Sequence, residues 1–436
     1  GQPQNYGANV SGGTEYFSYY YSLDWQRDEG IVSYNWKNQL NGRANLNWTP
    51  NENLDVEFGI GTVRSTLRSA SANQSVTTAI LWSCPAPGCE EGSGLPSAVD
   101  GAYRGYIGYL PEVIADDVEG RQGVTRTMYS LNATHRPTNW FTQRLTWGAD
   151  WTETNTTELY RPIDGPGHFT PMGRKSAQRQ TTQYLTTDYS ATATLEPFAG
   201  LRLATSSGVQ YYQKLMDWIY ATGSIFPVAA LETVNAGAQK DADEGFVENK
   251  TVGAYIQEQV SLRERIFLTA ALRGDDNSAF GKNFDFVLYP KFSTSWVVAD
   301  ESAPMAATWV NRLKLRAAWG QAGQQPDVFA ALRTYEPAVG PDAVATLTPQ
   351  NIGNADLKPE VGEELEVGFD GSFLNDRIEV QFTYYDQKRK DALISVPVKP
   401  SVGFPGFQWR NLGEVANSGI ELGVNGDVRR GANWGL

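Results

Sequence analysis

Residues 365–384 read LEVGFDGSFLNDRIEVQFTY and set the pattern for the chain. Leu365, Val367, Phe369 and Phe373 fall on one parity, and Glu366, Gly368, Asp370 and Ser372 on the other. Leu374, Asn375 and Asp376 then reverse the chain. Beyond them Ile378, Val380, Phe382 and Tyr384 share one parity, with Glu379, Gln381 and Thr383 on the other. Side chains along a strand point to opposite faces in turn. Alternation on both sides of a short polar turn therefore predicts an antiparallel hairpin with one apolar face.

The same rhythm fills the chain. Residues 5–10 and 14–26 read as strands, the second rich in aromatics. Trp36, Leu40, Ala44, Leu46 and Trp48 share a face, a turn follows at 49–53, and Leu54, Val56, Phe58 and Ile60 resume it. Tyr129, Leu131 and Ala133 lead to a turn at 136–139. Phe141, Leu145, Trp147, Ala149 and Trp151 lead away. Leu185 to Leu195 and Leu201 to Tyr211 flank a third turn. Val252 to Leu262 and Ile266 to Leu272 flank a fourth. Further strands are expected at 287–298, 313–319 and 415–428, and a last turn at 429–433. Long connections are predicted at 64–121, 152–179, 214–245, 275–285, 321–359 and 388–412, with a polar linker at 299–311.

Two regularities follow. Connections alternate short and long, and about fifteen strands occur with no useful helical pattern. Short turns at one end and long loops at the other mark an up-and-down transmembrane β-barrel, all-β and antiparallel. Trp36 and Trp48 lie twelve residues apart on one face. That is ~40 Å along a strand, or ~28 Å when tilted by ~45°, close to the ~25 Å apolar band between two aromatic girdles. Trp48, Trp140, Phe198 and Phe373 stand beside the short turns, where one girdle belongs. The alternative is cross-strand aromatic packing in a water-soluble sheet.

Composition refines this picture. The 436 residues carry a net charge of -13, which argues against a nucleic-acid partner. No run approaches the ~18 apolar residues of a membrane helix, which excludes helical spanning only. Gly1 opens no signal peptide, so a processed chain or a fragment is expected. Cys84 and Cys89 stand in WSCPAPGCEEG. They are too isolated for a four-ligand zinc site. A small loop disulfide is the expectation, and two unpaired thiols the alternative.

Several stretches resemble TonB-dependent transporters of the SusC/RagA type. They are YIQEQVSLRERIFLTAALRGDDNSAFG (255–281), LYPKFSTSW (288–296), LKLRAAWGQAGQQP (313–326), the segment 354–394 that begins NADLKPE, and NLGEVANSGIELGVNG (411–426). GGTEYFSYYYSLDWQRDEGIV (12–32) resembles the segment just after that family's plug. The resemblance implies an outer-membrane importer of oligosaccharides or peptides, driven by the TonB complex and often lidded by a SusD-like lipoprotein. Nothing resembles the plug or the TonB-contacting box, and no terminal strand ends in an aromatic residue. Residues 1–436 are thus expected to form a single, incomplete barrel domain of a larger fold. A passive porin is the competing reading.

No catalytic chemistry is legible, and neither an enzyme nor a cofactor is expected. His135 lies beside a short turn and His168 in a loop, each without partners at metal-ligand spacing. Asp275, Asp276 and Ser278 read as ordinary turn chemistry at a strand end. Gly59 and Gly61 lie inside a strand, making room for a plug or a bend. Ligand contact is expected from aromatic loop residues: Trp82, Tyr103, Tyr106 and Tyr109 in the longest connection, Trp218 and Tyr220 in another.

Overall fold

The computed structural model describes residues 2–32, 34–69, 118–162, 172–281, 286–301, 309–427, 430–431 and 434–435. Two compact units partition the chain. One comprises Gly1–Asn132, Trp147–Leu185 and Lys214–Glu248, the other Ala133–Thr146, Thr186–Gln213 and Asn249–Leu436. The described residues form strands β1 (Gln4–Gly13), β2 (Phe17–Glu29), β3 (Trp36–Asn51), β4 (Leu54–Ser69), β5 (Val118–Thr138), β6 (Phe141–Tyr160), β7 (Arg174–Phe198) and β8 (Leu201–Ser224). There follow β9 (Gln239–Leu262), β10 (Ile266–Asn277), β11 (Val287–Ala299), β12 (Val310–Gln324), β13 (Thr334–Val339) and β14 (Ala345–Asn351). Then come β15 (Glu360–Phe373), β16 (Ile378–Lys390), β17 (Leu393–Pro397), β18 (Phe407–Asn411) and β19 (Glu414–Gly426), and last the short pair β20 (Arg430–Gly431) and β21 (Trp434–Gly435).

Fifteen of these strands form one sheet in chain order, β1 to β12 and then β15, β16 and β19. Among the described residues there is no α-helix. Alternation and register together build continuous apolar rows. In the second unit one row runs Leu262, Ile266, Trp296, Leu315, Phe369, Phe382, Leu422 across seven strands. In the first unit Phe17, Trp48 and Val56 make a shorter row. Because the side-chain period is two, a one-residue slip would turn a whole strand over. Neighbouring rings lock the rows. Phe369 stacks on Phe382 at 5.7 Å, and Phe292 on Trp319 at 5.9 Å.

These rows are not a core. A soluble sandwich buries its apolar faces between two sheets. Here Trp296, Leu315 and Val367 remain 47%, 40% and 46% exposed. The buried apolar side chains lie instead toward the strand ends and in the connections, with Leu159, Phe226 and Leu357 among them.

The short turns match expectation. Leu374, Asn375 and Asp376 all take left-handed φ. The turn is held by Asn311, whose Oδ1 accepts from the backbone N–H of Asn375 at 2.8 Å. Gly59 and Gly61 lie on the polar face of β4, where Ser130 and Met128 of β5 occupy the space a side chain would need.

The long connections need correction. β4, β6, β8 and β10 run on to Ser69, Tyr160, Ser224 and Asn277, and β5, β7 and β9 begin at Val118, Arg174 and Gln239. The backbone ladder continues where the apolar alternation fades, because interstrand hydrogen bonds do not need a lipid-facing side chain. The stretches expected as loops at 321–359 and 388–412 contain the hairpins β13–β14 and β17–β18. The two connections are knit together. Leu357 is fully buried beside Ala330 and Ala331, with Leu393 and Trp409 packed on them. The Asn411 side chain accepts from the Lys358 N–H at 3.0 Å and donates to the Lys358 carbonyl at 2.8 Å. The Gln408 side chain donates to the Gly353 carbonyl at 2.6 Å. Most of the linker at 299–311 and of the turn at 429–433 lies outside the described residues.

Candidate functional site

Trp218 and Tyr220 are the two predicted contact residues that the structure describes, and it places them on β8 rather than in a loop. Their strand alternates with unusual chemistry. Lys214, Met216, Trp218 and Tyr220 share the polar parity, opposite Leu215, Asp217 and Ile219. Asp217 and Ile219 are exposed on the other face. β7 supplies the neighbours. The Lys214 ammonium stands 5.8 Å from the Tyr184 ring centroid. Gln180 Nε2 donates to Met216 Sδ at 3.5 Å, and Arg174 Nη2 to the Tyr220 hydroxyl at 3.3 Å. On β9, Gly245 leaves the space that the Trp218 indole occupies. The result is a wall of three rings, a thioether and two cations on one face.

Sequence reading found Trp218 and Tyr220 and missed Arg174, Gln180, Tyr184, Lys214 and Met216. The signal was present as a period of two through residues 214–220, concealed by the lack of a clean apolar parity. Trp82, Tyr103, Tyr106, Tyr109, Cys84 and Cys89 lie outside the described residues.

The end of β8 is fixed by the following connection. Ile225 has φ +64°, a conformation costly for a β-branched residue. It is held by its N–H to the Gly173 carbonyl at 3.2 Å, and Phe226 N–H binds the Met172 carbonyl at 2.8 Å. Gly173 takes φ +77°, and a side chain there would meet the buried Phe226 ring. Arg161 ties the same connection down, donating to Glu232 at 2.6 Å and to Glu119 at 3.4 Å. Glu119 also pairs with Arg121, and with Arg68 at 3.8 Å. Burial pushes the Glu119 carboxyl up, but Arg121, Arg68 and Arg161 together outweigh it and hold the group below its ordinary value. Glu119 stands nineteen residues from the turn end of β5. That is ~45 Å above the turn after tilting, well beyond a ~25 Å apolar band.

Stacking, cation and hydrogen-bond contacts suit non-covalent capture of a ligand. Among the described residues no group of three or more His, Cys, Asp or Glu could hold a metal. His135 is exposed beside its turn, and His168 lies outside the described residues. Asp275 is taken up by Arg273 at 2.8 Å, and Ser278 Oγ accepts from the Lys250 N–H at 2.9 Å.

Comparison with known proteins accords with this architecture. Residues 87–436 match the family described as TonB dependent receptor-like, beta-barrel. The TonB-dependent receptor SusC of Bacteroides thetaiotaomicron is 29% identical over 199 residues, covering 43% of this chain and 20% of that protein. TonB-dependent receptor P39 of Formosa agariphila is 28% identical over 163 residues, covering 37% and 16%. A chain of the RagAB peptide importer in its "open-open" state superposes with a TM-score of 0.82 at 19% identity, covering 99% of this chain and 48% of that one. The chain thus spans about half of that solved relative, and its alignments cover at most a fifth of these two sequence relatives. The chain belongs to the TonB-dependent receptor β-barrel family, and its alternating strands are transmembrane strands of the bacterial outer membrane.

Proposed function

We propose that the chain is barrel wall from an energised importer of oligosaccharides or peptides, and that residues 1–436 are one incomplete barrel domain. In this reading the polar parity faces the lumen and the apolar parity faces lipid. Trp218 and Tyr220, flanked by Lys214 and Arg174, contact cargo as it passes. The observation that carries the reading is this ring-and-cation wall on the polar parity of β7 and β8. Aromatic faces stack on sugar rings or clamp peptide side chains, and cations hold their carboxylates or hydroxyls. A SusD-like surface lipoprotein delivers the cargo, and the TonB complex supplies the energy.

The test is uptake of labelled oligosaccharides and peptides by cells carrying the full-length protein, with TonB present or deleted. The reading expects uptake of one cargo class that disappears without TonB. Uptake that survives TonB deletion would make the barrel a passive porin.

A further inference from the structure

On β4 to β7 the apolar parity turns basic where the apolar residues stop. Arg64 and Arg68 stand on β4, Arg121 on β5, Lys175 and Arg179 on β7, and Arg161 just past β6. Register puts Arg68 opposite Trp36 and Arg64 opposite Leu40, on the apolar side. Arg121 shares the parity of Tyr129, and Lys175 and Arg179 that of Leu185. Among the described residues three acids accompany these six cations: Glu119, Glu153 and Glu232. The chain carries a net charge of -13, so the basic excess is local. It is also bounded, since the same parity carries Asp217 on β8 and Glu244 and Glu248 on β9. All these residues belong to the first unit.

The acids do not neutralise the patch. Arg68, Arg121 and Arg161 converge on the single Glu119 carboxylate. Lys175 lies within electrostatic reach of Glu119 and Glu232, yet among the described residues it forms an ion pair with neither. Arg64 is exposed and likewise has no ion-pair partner among the described residues. Arg179 binds Glu153 while 68% of its side chain stays exposed, and Arg121 keeps 54%. Height limits what can cover the patch. Arg64 is ten residues from the turn end of β4, or ~23 Å after tilting, at the upper edge of the ~25 Å apolar band. Arg121 is seventeen residues from the turn end of β5, or ~40 Å, about 15 Å beyond that band. A phospholipid head group reaches only about 5–8 Å past the hydrocarbon, so it cannot span from one to the other. A lipid with a phosphorylated saccharide head can.

We propose that this patch binds the phosphates of an anionic glycolipid in the outer leaflet, whose acyl chains lie against the apolar rows below. The long connections mark this end of the strands as the outer one. Guanidinium forks grip phosphate through paired hydrogen bonds, and basic clusters beside a membrane draw anionic head groups. The uncharged positions between the cations, such as Thr66, Thr125, Asn155 and Thr181, suit sugar hydroxyls. The proposal rests on the apolar parity facing lipid, and it is independent of any cargo.

The experiment places the full-length protein in phosphatidylethanolamine nanodiscs with equal amounts of rough lipopolysaccharide and the same glycolipid stripped of its phosphates. Native mass spectrometry then counts the lipids that stay bound. The expected result is several-fold greater retention of the phosphorylated form. Arg64→Gln, Lys175→Gln and Arg179→Gln combined spare the Glu119 pairs and should abolish that preference, and R64Q alone should lower it. Lys37→Gln with Arg126→Gln, both on the polar parity, should leave it intact, with heat-modifiable gel migration verifying that each variant folds. Equal retention of the two forms by the natural protein, or an undiminished preference in the folded triple variant and in R64Q, would overturn the proposal. Loss of preference only in the polar-parity variant would overturn the parity assignment beneath it. Phosphatidylglycerol retained as well as the glycolipid would overturn the choice of lipid.

Discussion

Trp218 is held from two sides: Gly245 gives its indole room on β9, and β8 fixes its parity between Met216 and Tyr220. In the proposed reading a ring so placed serves binding rather than the stability of a core, and no buried cluster surrounds it among the described residues. Trp218→Ala should therefore weaken cargo binding by about two- to tenfold, the range of one aromatic contact, and leave folding intact. Titration of the purified protein with its cargo, beside a thermal melt, measures both; a lower melting point with unchanged affinity would assign the ring to structure. At this scale the sequence was a partial guide. Aromatic type marked Trp218 and Tyr220, but Lys214 and Arg174 carry no such mark. Their role comes from which strand lies beside β8, and pattern alone does not fix the hydrogen-bond register there.

Strand existence and turn position were legible because alternation is a local signal, whereas strand length was not. The lipid band enforces alternation only across its own thickness, so β6 continues to Tyr160 and β8 to Ser224 after the signal stops. The hairpins β13–β14 and β17–β18 were hidden for a related reason. They are organised around the long-range contact of Leu357 with Leu393 and Trp409, which no short window contains. Leu357→Ala should cost about 2–5 kcal/mol locally, as buried leucine truncations do. Limited proteolysis should then cut within 326–358 and 391–413 faster, while the β9–β12 ladders stay protected; equal cleavage of mutant and natural protein would remove Leu357 from this role. The connection after β8 should respond to acid. The Glu119 carboxyl is held below its ordinary value, so its ion pairs stabilise at pH above the carboxylate range, about 4. That contribution is lost as pH falls through the lowered value. Protection factors at 225–238, corrected for the intrinsic dependence of exchange on pH, should fall on acidification before those in β10 do, and simultaneous loss of both would contradict a local anchor.

For the whole molecule, one physical claim organises the rest: water and lipid divide the residues of each strand by parity. It explains why Trp296, Leu315 and Val367 stay exposed while no second layer of described residues covers them. It explains why the row from Leu262 to Leu422 is apolar across seven strands. In the proposed reading it also turns Trp218 toward the lumen. The direct measurement replaces Cys84 and Cys89, then puts a spin label at each residue from Glu364 to Phe369 in the full-length protein in bilayers. Collision with oxygen, which concentrates in lipid, is compared with collision with a water-soluble nickel complex. The account predicts a period of two, with residues 365, 367 and 369 favouring oxygen and residues 364, 366 and 368 favouring nickel. A flat profile, or the opposite parity, would contradict it.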